Sequence, residues 1–321
     1  MGHAGWGHAG WGHAGRGPVS EQTRRYRDGP GYDHPWFDWP PPEAPTVWPG
    51  GARLAVMPLV HVEHFELDPD PNAFGDPRFA GALGSYRPDY NNFTRRLYGL
   101  RVGVWRILDI LKAHGLRATV ALGAAAAEEC PQIVERALED GHGIAAHGTV
   151  ANRMISERMS EAEERAFIAE SASRLEACTG RRPRGWVGQD HGESSRTPGL
   201  LAEAGFDHVI DWPNDERPVA MLTEPPIVSI PAHTEWDDAE LFAVRKVDAW
   251  RYPELIADAA ECLHGEGGRM MTLGIHPWIF GQPHRSRHLD AALGRLLELG
   301  AIWNATSDEI ADLALGKVRI V

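Results

Sequence analysis

An apolar run from Leu54 to Val60 leads without a break into His61, Glu63, His64 and Glu66. Two imidazoles and two carboxylates this close together can bind a metal ion, exchange protons near neutral pH or activate a water molecule. Leu54, Ala55, Val56, Met57, Leu59 and Val60 are apolar at successive positions, the pattern of a strand buried on both faces. In barrels and doubly wound sheets the residues just past such strands line the ligand crevice, so the segment predicts an active site. Period-two geometry puts His61 and Glu63 on one face of the strand and His64 on the other.

The elements that must position these groups alternate along the chain. Hydrophobic periodicity predicts further strands over 118–122, 143–147, 185–187, 208–211, 227–230, 270–275 and 301–303, and helices over 100–114, 124–140, 161–178, 197–204, 253–263, 288–299 and 307–315. Ser160 and Glu163 form a capping box before the 161–178 helix, and Gly180 ahead of Pro183 ends it. Leu289, Ala292, Leu293, Leu296 and Leu297 make a stripe that faces a sheet. Strands alternating with helices in this number favour a closed or nearly closed α/β barrel. Residues 65–98 form a polar and aromatic stretch too long for an ordinary connection, and they are expected to build a lid or pocket wall. Upstream, Gly2–Arg16 repeats Gly-His-Ala-Gly-Trp with His3, His8 and His13 in register, which reads as a low-complexity tail. Residues 30–50 are crowded with Pro, Trp and Asp and read as an extended arm, so the catalytic unit is expected to span 51–321 and to begin near Gly51.

Composition narrows the partners. A net charge of -13 over 321 residues argues against nucleic acid and against an anchor on anionic lipid, because both need clustered Lys and Arg. Cys130, Cys178 and Cys262 are far apart and show no CxxC spacing, so neither a disulfide framework nor a cysteine zinc site is indicated. No stretch approaches the length that spans a bilayer, and the first residues lack the pattern of a signal peptide, so a cytoplasmic location is expected. No GxGxxG or Walker pattern follows a strand, which argues against nucleotide cofactors.

The polar residues at the predicted strand ends are Glu63 and His64, His147, Asp190 and His191, Asp211 and Asp215, His233 and Glu235, and His276. A barrel would bring all of them to its C-terminal rim. Their order and context resemble the polysaccharide deacetylase, or NodB-like carbohydrate esterase, superfamily over residues 52–315. Its members carry an acidic pair after the first strand, then Gly-His-x-Ile-x-x-His, Thr-Gly-x-x-Pro, an Asp-rich segment and Leu-x-x-His-Pro. This chain has Glu63-His64, Gly141-His-Gly-Ile-Ala-Ala-His147, Thr179-Gly-Arg-Arg-Pro183, Asp211-Trp-Pro-Asn-Asp215 and Leu273-Gly-Ile-His-Pro277. Four further phrases look like the allantoinase-like and cyclic imide hydrolase-like subgroup: residues 98–105, which contain Arg101, then 184–186, 193–197 and 276–285. The resemblance implies an α/β fold of the distorted (β/α)7 barrel type and hydrolysis of a non-peptide carbon–nitrogen bond.

The same comparison with the family implies departures. Metal-dependent members hold a divalent cation with an Asp and a His-x-x-x-His pair, beside an Asp base. Here His64 stands at the metal Asp and Ala151 at the second His, and Val187 replaces an arginine found in many deacetylases. A catalytic zinc needs three protein ligands and an open position, and the matched positions supply only His64 and His147, with Glu66 or His61 left to complete a set. Either no cofactor or one divalent ion such as zinc follows. In the implied mechanism Glu63, with a pKa raised by a partly apolar site, takes a proton from water. His147, or a metal on it, stabilises the oxyanion, and His276 protonates the departing nitrogen. Arg101, Trp186, Asp190, His191, Asp211, Asp215, His233, Glu235 and Asp238 are expected to line the substrate pocket. The expected partners are a small amide or an N-acetyl sugar and further copies of the same chain. N-deacetylation of a polysaccharide and a barrel that binds a ligand without turning it over remain as alternatives.

Overall fold

The structure, a computed structural model, describes Trp36, residues 45–69 and residues 88–317. The Gly-His-Ala-Gly-Trp repeat and most of the Pro-rich arm lie outside these residues. Strand β1 (Leu54–Val62) is followed by helices α1 (Tyr90–Tyr98) and α2 (Val104–Ala113), which a π-type turn, Gly99–Gly103, joins. Next come β2 (Thr119–Leu122), α3 (Ala124–Glu129), α4 (Pro131–Glu139), β3 (Gly143–Ala146), α5 (Glu161–Thr179), β4 (Gly185–Trp186), α6 (Thr197–Glu203) and β5 (His208–Val209). The last third holds β6 (Val219–Ala220), β7 (Val228–Ser229), α7 (Tyr252–Glu266), β8 (Arg269–Ile275), α8 (Pro283–Glu298), β9 (Ile302–Asn304) and α9 (Ser307–Ala314).

The strands form one sheet in the order β6-β7-β5-β4-β3-β2-β1-β8, and β9 also pairs with β1. Every pairing is parallel except β6 with β7. This is the expected α/β barrel, curved but not closed by a ladder. β1 pairs with β8 along one edge; its other edge is taken by β9 at Leu54–Val56 and by β2 at Leu59–Val62. Pro58, which has no N–H to give a continuous ladder, stands where that edge changes partner. Across the gap between β8 and the β6–β7 end of the sheet the Met270 N–H donates to the Glu216 carbonyl at 2.8 Å, and three further bonds gather on one residue. The Thr272 hydroxyl donates to the Pro231 carbonyl at 2.6 Å, the Thr272 N–H to His233 Nδ1 at 3.1 Å, and Trp236 Nε1 to the Thr272 carbonyl at 2.8 Å.

Period-two alternation divides the core. Ala55, Met57, Leu59, Ala121, Ala145, Val187 and Met270 fill the inside of the barrel, whereas Val56, Val60, Val120, Leu122, Ile144 and Trp186 pack outward under the helices. Continuing each inner row one step past the strand gives His61 on β1, His147 after β3 and His276 after β8.

Several boundaries differ from expectation. The 124–140 helix is two helices, because Pro131 takes the first position of α4 and cannot continue α3. Helix α8 starts at Pro283, five residues before the expected His288. Part of the expected 65–98 loop is helix α1, capped by the Asp89 carboxylate on the Asn92 N–H. Trp48 is fully buried, packs at a tilt against Trp303 and donates its indole N–H to the Arg269 carbonyl at 2.9 Å, so the packed core reaches upstream of Gly51. Among the described residues no helix is long and apolar enough to cross a membrane, and Cys130, Cys178 and Cys262 are unpaired thiols.

The loop after β8 is anchored backbone to backbone. A Cβ on Gly103 would strike the Pro277 carbonyl, and one on Gly281 would strike both that carbonyl and Gly103 Cα. The Tyr98 hydroxyl donates to the Gly281 carbonyl at 3.2 Å, and Arg106 donates to the same oxygen. Substituting Gly103→Ala is therefore expected to lower stability by about 2 kcal/mol or more in urea unfolding, because neither backbone can yield. An unchanged unfolding midpoint would show that this contact does not anchor the loop.

Candidate active site

The inner rows end in a cluster at the C-terminal rim. His147 Nδ1 lies 2.8 Å from the Val187 carbonyl, which can only accept, so that nitrogen carries a proton and Nε2 faces the cluster. Facing Nε2 are His61 Nδ1 at 3.4 Å and Glu63 Oε1 at 3.8 Å. The His61 ring lies parallel to that of His276, with centroids 4.2 Å apart and planes within 5°. Asp238 holds His276 twice: Oδ1 accepts from ring Nδ1 at 2.6 Å and Oδ2 from the backbone N–H at 2.8 Å. Next to it, Asp237 caps the turn 239–244 by accepting from the N–H groups of Ala239 and Glu240, and its Oδ2 lies 4.0 Å from His276 Nδ1. Gly274 makes room for that carboxylate, since a Cβ there would collide with Asp237 Oδ2.

These contacts set the charges. Burial alone would lower the His276 pKa, but Asp238, Asp237 and Glu63 outweigh it and raise it to about 9, so the ring is a cation at neutral pH. Asp238 is itself pushed up to about 6 by burial against the pull of His276, and the pair carries one proton at pH 7. His61 is driven well below its usual value by burial and by the positive His276 above it, so it is neutral. For Glu63 the expectation of a raised pKa is corrected. Burial does push it up, yet His147, His276 and Arg96 prevail and bring it down to about 2. Arg96 extends from α1 to within 4.0 Å of Glu63 Oε2, with its guanidinium over the Trp278 ring at 4.3 Å and the Phe65 ring at 5.2 Å.

The other predicted site residues divide. His191 lines a small cavity with His61, His233 and Asp237. Asp211 is buried, accepts from the Gly188 N–H at 2.7 Å and stands 3.7 Å from His191 Nδ1. Beside it Glu193 has its pKa raised well above normal by burial and by the Asp211 charge. Asp215 and Glu235 line a cleft of about 540 Å³ outside the seam between β7 and β8, where Glu235 is exposed and paired with Arg245. Asp190 is exposed; it and His191 hold left-handed backbone, φ 51° and 55°, a conformation unfavourable for residues with a side chain. Two residues leave the pocket. Trp186 is packed edge-on between Phe167 and Phe206 in the outer core, because Val187 and not Trp186 occupies the inner face at the end of β4. Arg101 is exposed on the Gly99–Gly103 turn, whose glycines make the contact with the 277–281 loop.

The expected metal pair is not assembled as a three-ligand site. His64 is packed on Phe93, and its carbonyl accepts the Ala151 N–H at 2.8 Å, so the two altered family positions are neighbours and the second has no donor side chain. The Glu66 side chain is exposed. Among the described residues the group spaced to share an ion is His61, Asp237 and His276, whose donor atoms lie within 4.8 Å of one another. Sequence reasoning missed Asp237 and Arg96. The adjacent Asp237-Asp238 pair was a signal for the first, and Asn92 bonded to Arg96 one helical turn on, at 3.2 Å, marks the helix that carries the second.

The chain is similar in sequence and fold to known proteins. The polysaccharide deacetylase family model matches residues 98–209. The chain is 27% identical over 302 residues to a putative polysaccharide deacetylase of Schizosaccharomyces pombe, an alignment covering 82% of this chain and 91% of that one. Among solved structures it is similar to a probable polysaccharide deacetylase of Pseudomonas aeruginosa, with TM-score 0.75, 26% identity and coverage of 85% and 94%. It is also similar to the allantoinase Puue, with TM-score 0.73, 27% identity and coverage of 86% and 94%.

If Asp238 is what keeps His276 charged, Asp238→Asn moves the His276 titration from about 9 down toward its ordinary 6.5, as followed by NMR of the ring. A titration that stays in place assigns the charge to other groups.

Proposed function

Because the chain carries a polysaccharide deacetylase domain and is a hydrolase of non-peptide carbon–nitrogen bonds, we propose that its substrate is a small linear or cyclic amide, imide or ureide. The observation that carries the reading is an acid and a base of opposite protonation on one rim: cationic His276, fastened by Asp238, and anionic Glu63. Glu63 takes a proton from water while the water oxygen bonds to the substrate carbonyl carbon. His276 then gives its Nε2 proton to the nitrogen as the carbon–nitrogen bond breaks. A carboxylate near 2 is a weak base, but the His276 charge is among the causes of that low value, so Glu63 grows more basic as His276 releases its proton. Arg96 balances the carboxylate throughout. His147 donates from Nδ1 to the Val187 carbonyl, which fixes its ring beside Glu63 and His61.

The chemistry is proposed to run on these side chains alone. Imidazole binds an ion along the ring plane, and two rings parallel within 5° and stacked at 4.2 Å cannot both point their lone pairs at one ion between them. The His276 proton opposes ligation as well. The negative net charge and the lack of a basic groove in the sequence favour a neutral substrate, and the likeness to Puue allantoinase supports a small one.

Glu63→Gln is expected to lower kcat by about 10² or more on an amide, imide and ureide panel, with the fold unchanged by circular dichroism. The rate should fall as pH rises through about 9, where His276 loses its proton, with no acid limb from Glu63 above about pH 3 because its carboxyl stays ionised down to about 2. Elemental analysis with turnover before and after chelation tests the metal. A stoichiometric ion needed for activity overturns the metal-free scheme, and acetate release from N-acetyl sugar oligomers in preference to the panel overturns the substrate class.

A further inference from the structure

Helix α1 opens with two adjacent asparagines, and each accepts a hydrogen bond from an arginine one turn on. Asn91 Oδ1 accepts from Arg95 Nε on the solvent side, and Asn92 Oδ1 accepts from Arg96 Nη1 on the inner side, both at 3.2 Å. The outer pair is an ordinary surface contact. The inner pair is buried, with Asn92 2% and Arg96 6% exposed, and an asparagine in a helix is costly to bury unless its amide is bonded at both ends.

Both ends are bonded. Asn92 Nδ2 donates to Asp89 Oδ2 at 2.7 Å, while Asp89 Oδ1 accepts the Asn92 N–H at 3.0 Å as the helix cap. A carboxylate only accepts and a guanidinium only donates, so the two partners demand the same orientation of the amide. The Asp89 N–H in turn donates to the Leu67 carbonyl at 3.3 Å, which ties the start of α1 to the segment that carries Glu63 and Phe65. At the far end of this chain of bonds the Arg96 guanidinium lies over the rings of Trp278 and Phe65, with its Nε 4.0 Å from Glu63 Oε2. The rings restrain the tilt of the planar group. They do not set where its N–H groups point, because a guanidinium can turn within its own plane and keep the same aromatic contact. An in-plane hydrogen bond does set that direction, and Asn92 supplies one at Nη1.

We propose that Asn92, anchored by Asp89, is a positioning residue that aims the Arg96 guanidinium at Glu63 and so holds the catalytic carboxylate in place. The kinetic part of this inference rests on the hydrolytic reading above; the seat of the guanidinium does not.

The two asparagines provide a paired test. Leucine keeps the branched shape of asparagine and makes neither bond. Asn92→Leu is expected to lose about tenfold or more in kcat with KM within about twofold of wild type, whereas Asn91→Leu keeps the wild-type kcat. Asp89→Ser separates aim from stability, because the hydroxyl still caps the Asn92 N–H but cannot hold Nδ2 as well. It should melt close to wild type and lose about threefold or more in kcat, and it decides the question if Asn92→Leu does not fold. Free guanidinium ion, well below denaturing concentrations, should restore turnover to Arg96→Ala and fail to restore it to the double variant Arg96→Ala/Asn92→Leu. A residue that only stabilised α1 would lower the melting temperature and leave that rescue intact. Nitrogen-15 NMR of the full chain reads the seat without substrate: a guanidinium held at one edge rotates slowly, so Arg96 should show separate Nη signals that merge in Asn92→Leu and persist in Asn91→Leu. Wild-type kcat in Asn92→Leu or Asp89→Ser, or Arg96 signals that stay separate in Asn92→Leu, overturns the proposal. Signals that merge as expected in a chain that hydrolyses no member of the panel retain the seat and remove the proposed function.

Discussion

Asp238 and His276 exchange a ring bond and a backbone bond through one buried carboxylate, and the charge state of the whole rim follows from that contact. The fixed positive ring draws the Glu63 carboxyl down and makes a second cation at His61 too costly, so the stacked ring remains neutral. A cationic ring on a neutral one is a tolerable stack, where two cations in low dielectric would repel strongly. Arg96 then supplies the positive charge on the other side of Glu63, held flat on Trp278, a residue of the same loop as His276. Removing the carboxylate under His276 would therefore change the protonation of residues it never touches.

The scaffold places these groups by two simple devices. Alternation along β1, β3 and β8 sends His61, His147 and His276 to the same side, with the inner apolar rows beneath them. The missing side chains of Gly103 and Gly281 let α2 and the 277–281 loop meet at backbone distance, which sets the height of His276 and Trp278. Small residues thus decide where the large ones stand.

Much of this was legible in the residue order. The strand ending in His61 and Glu63, the ring at His147 and the His276-Pro277 turn were all marked by apolar rows with polar ends, and the ordered motifs announced the barrel. What was hidden depends on tertiary contacts. A strand of two residues, such as β4, does not reveal which of Trp186 and Val187 faces inward. Arg96 lies on a helix that the polar stretch 65–98 disguises. The sign of the Glu63 shift could not be read from local apolarity, because His147, His276 and Arg96, all from distant segments, reverse it. Helix α8 began early because Pro283 starts a helix as readily as it ends one.

The gap between β8 and the β6–β7 end of the sheet has a consequence for how such a barrel can vary. A sheet closed by ladders changes its girth only by gaining, losing or re-registering a strand, and each of those moves every inward side chain. Here the circumference is completed by the Met270 N–H on the Glu216 carbonyl and by bonds that converge on Thr272 from Pro231, His233 and Trp236. One substitution at this joint can widen or narrow the bore while the catalytic rings, borne by β1, β3 and β8, keep their places.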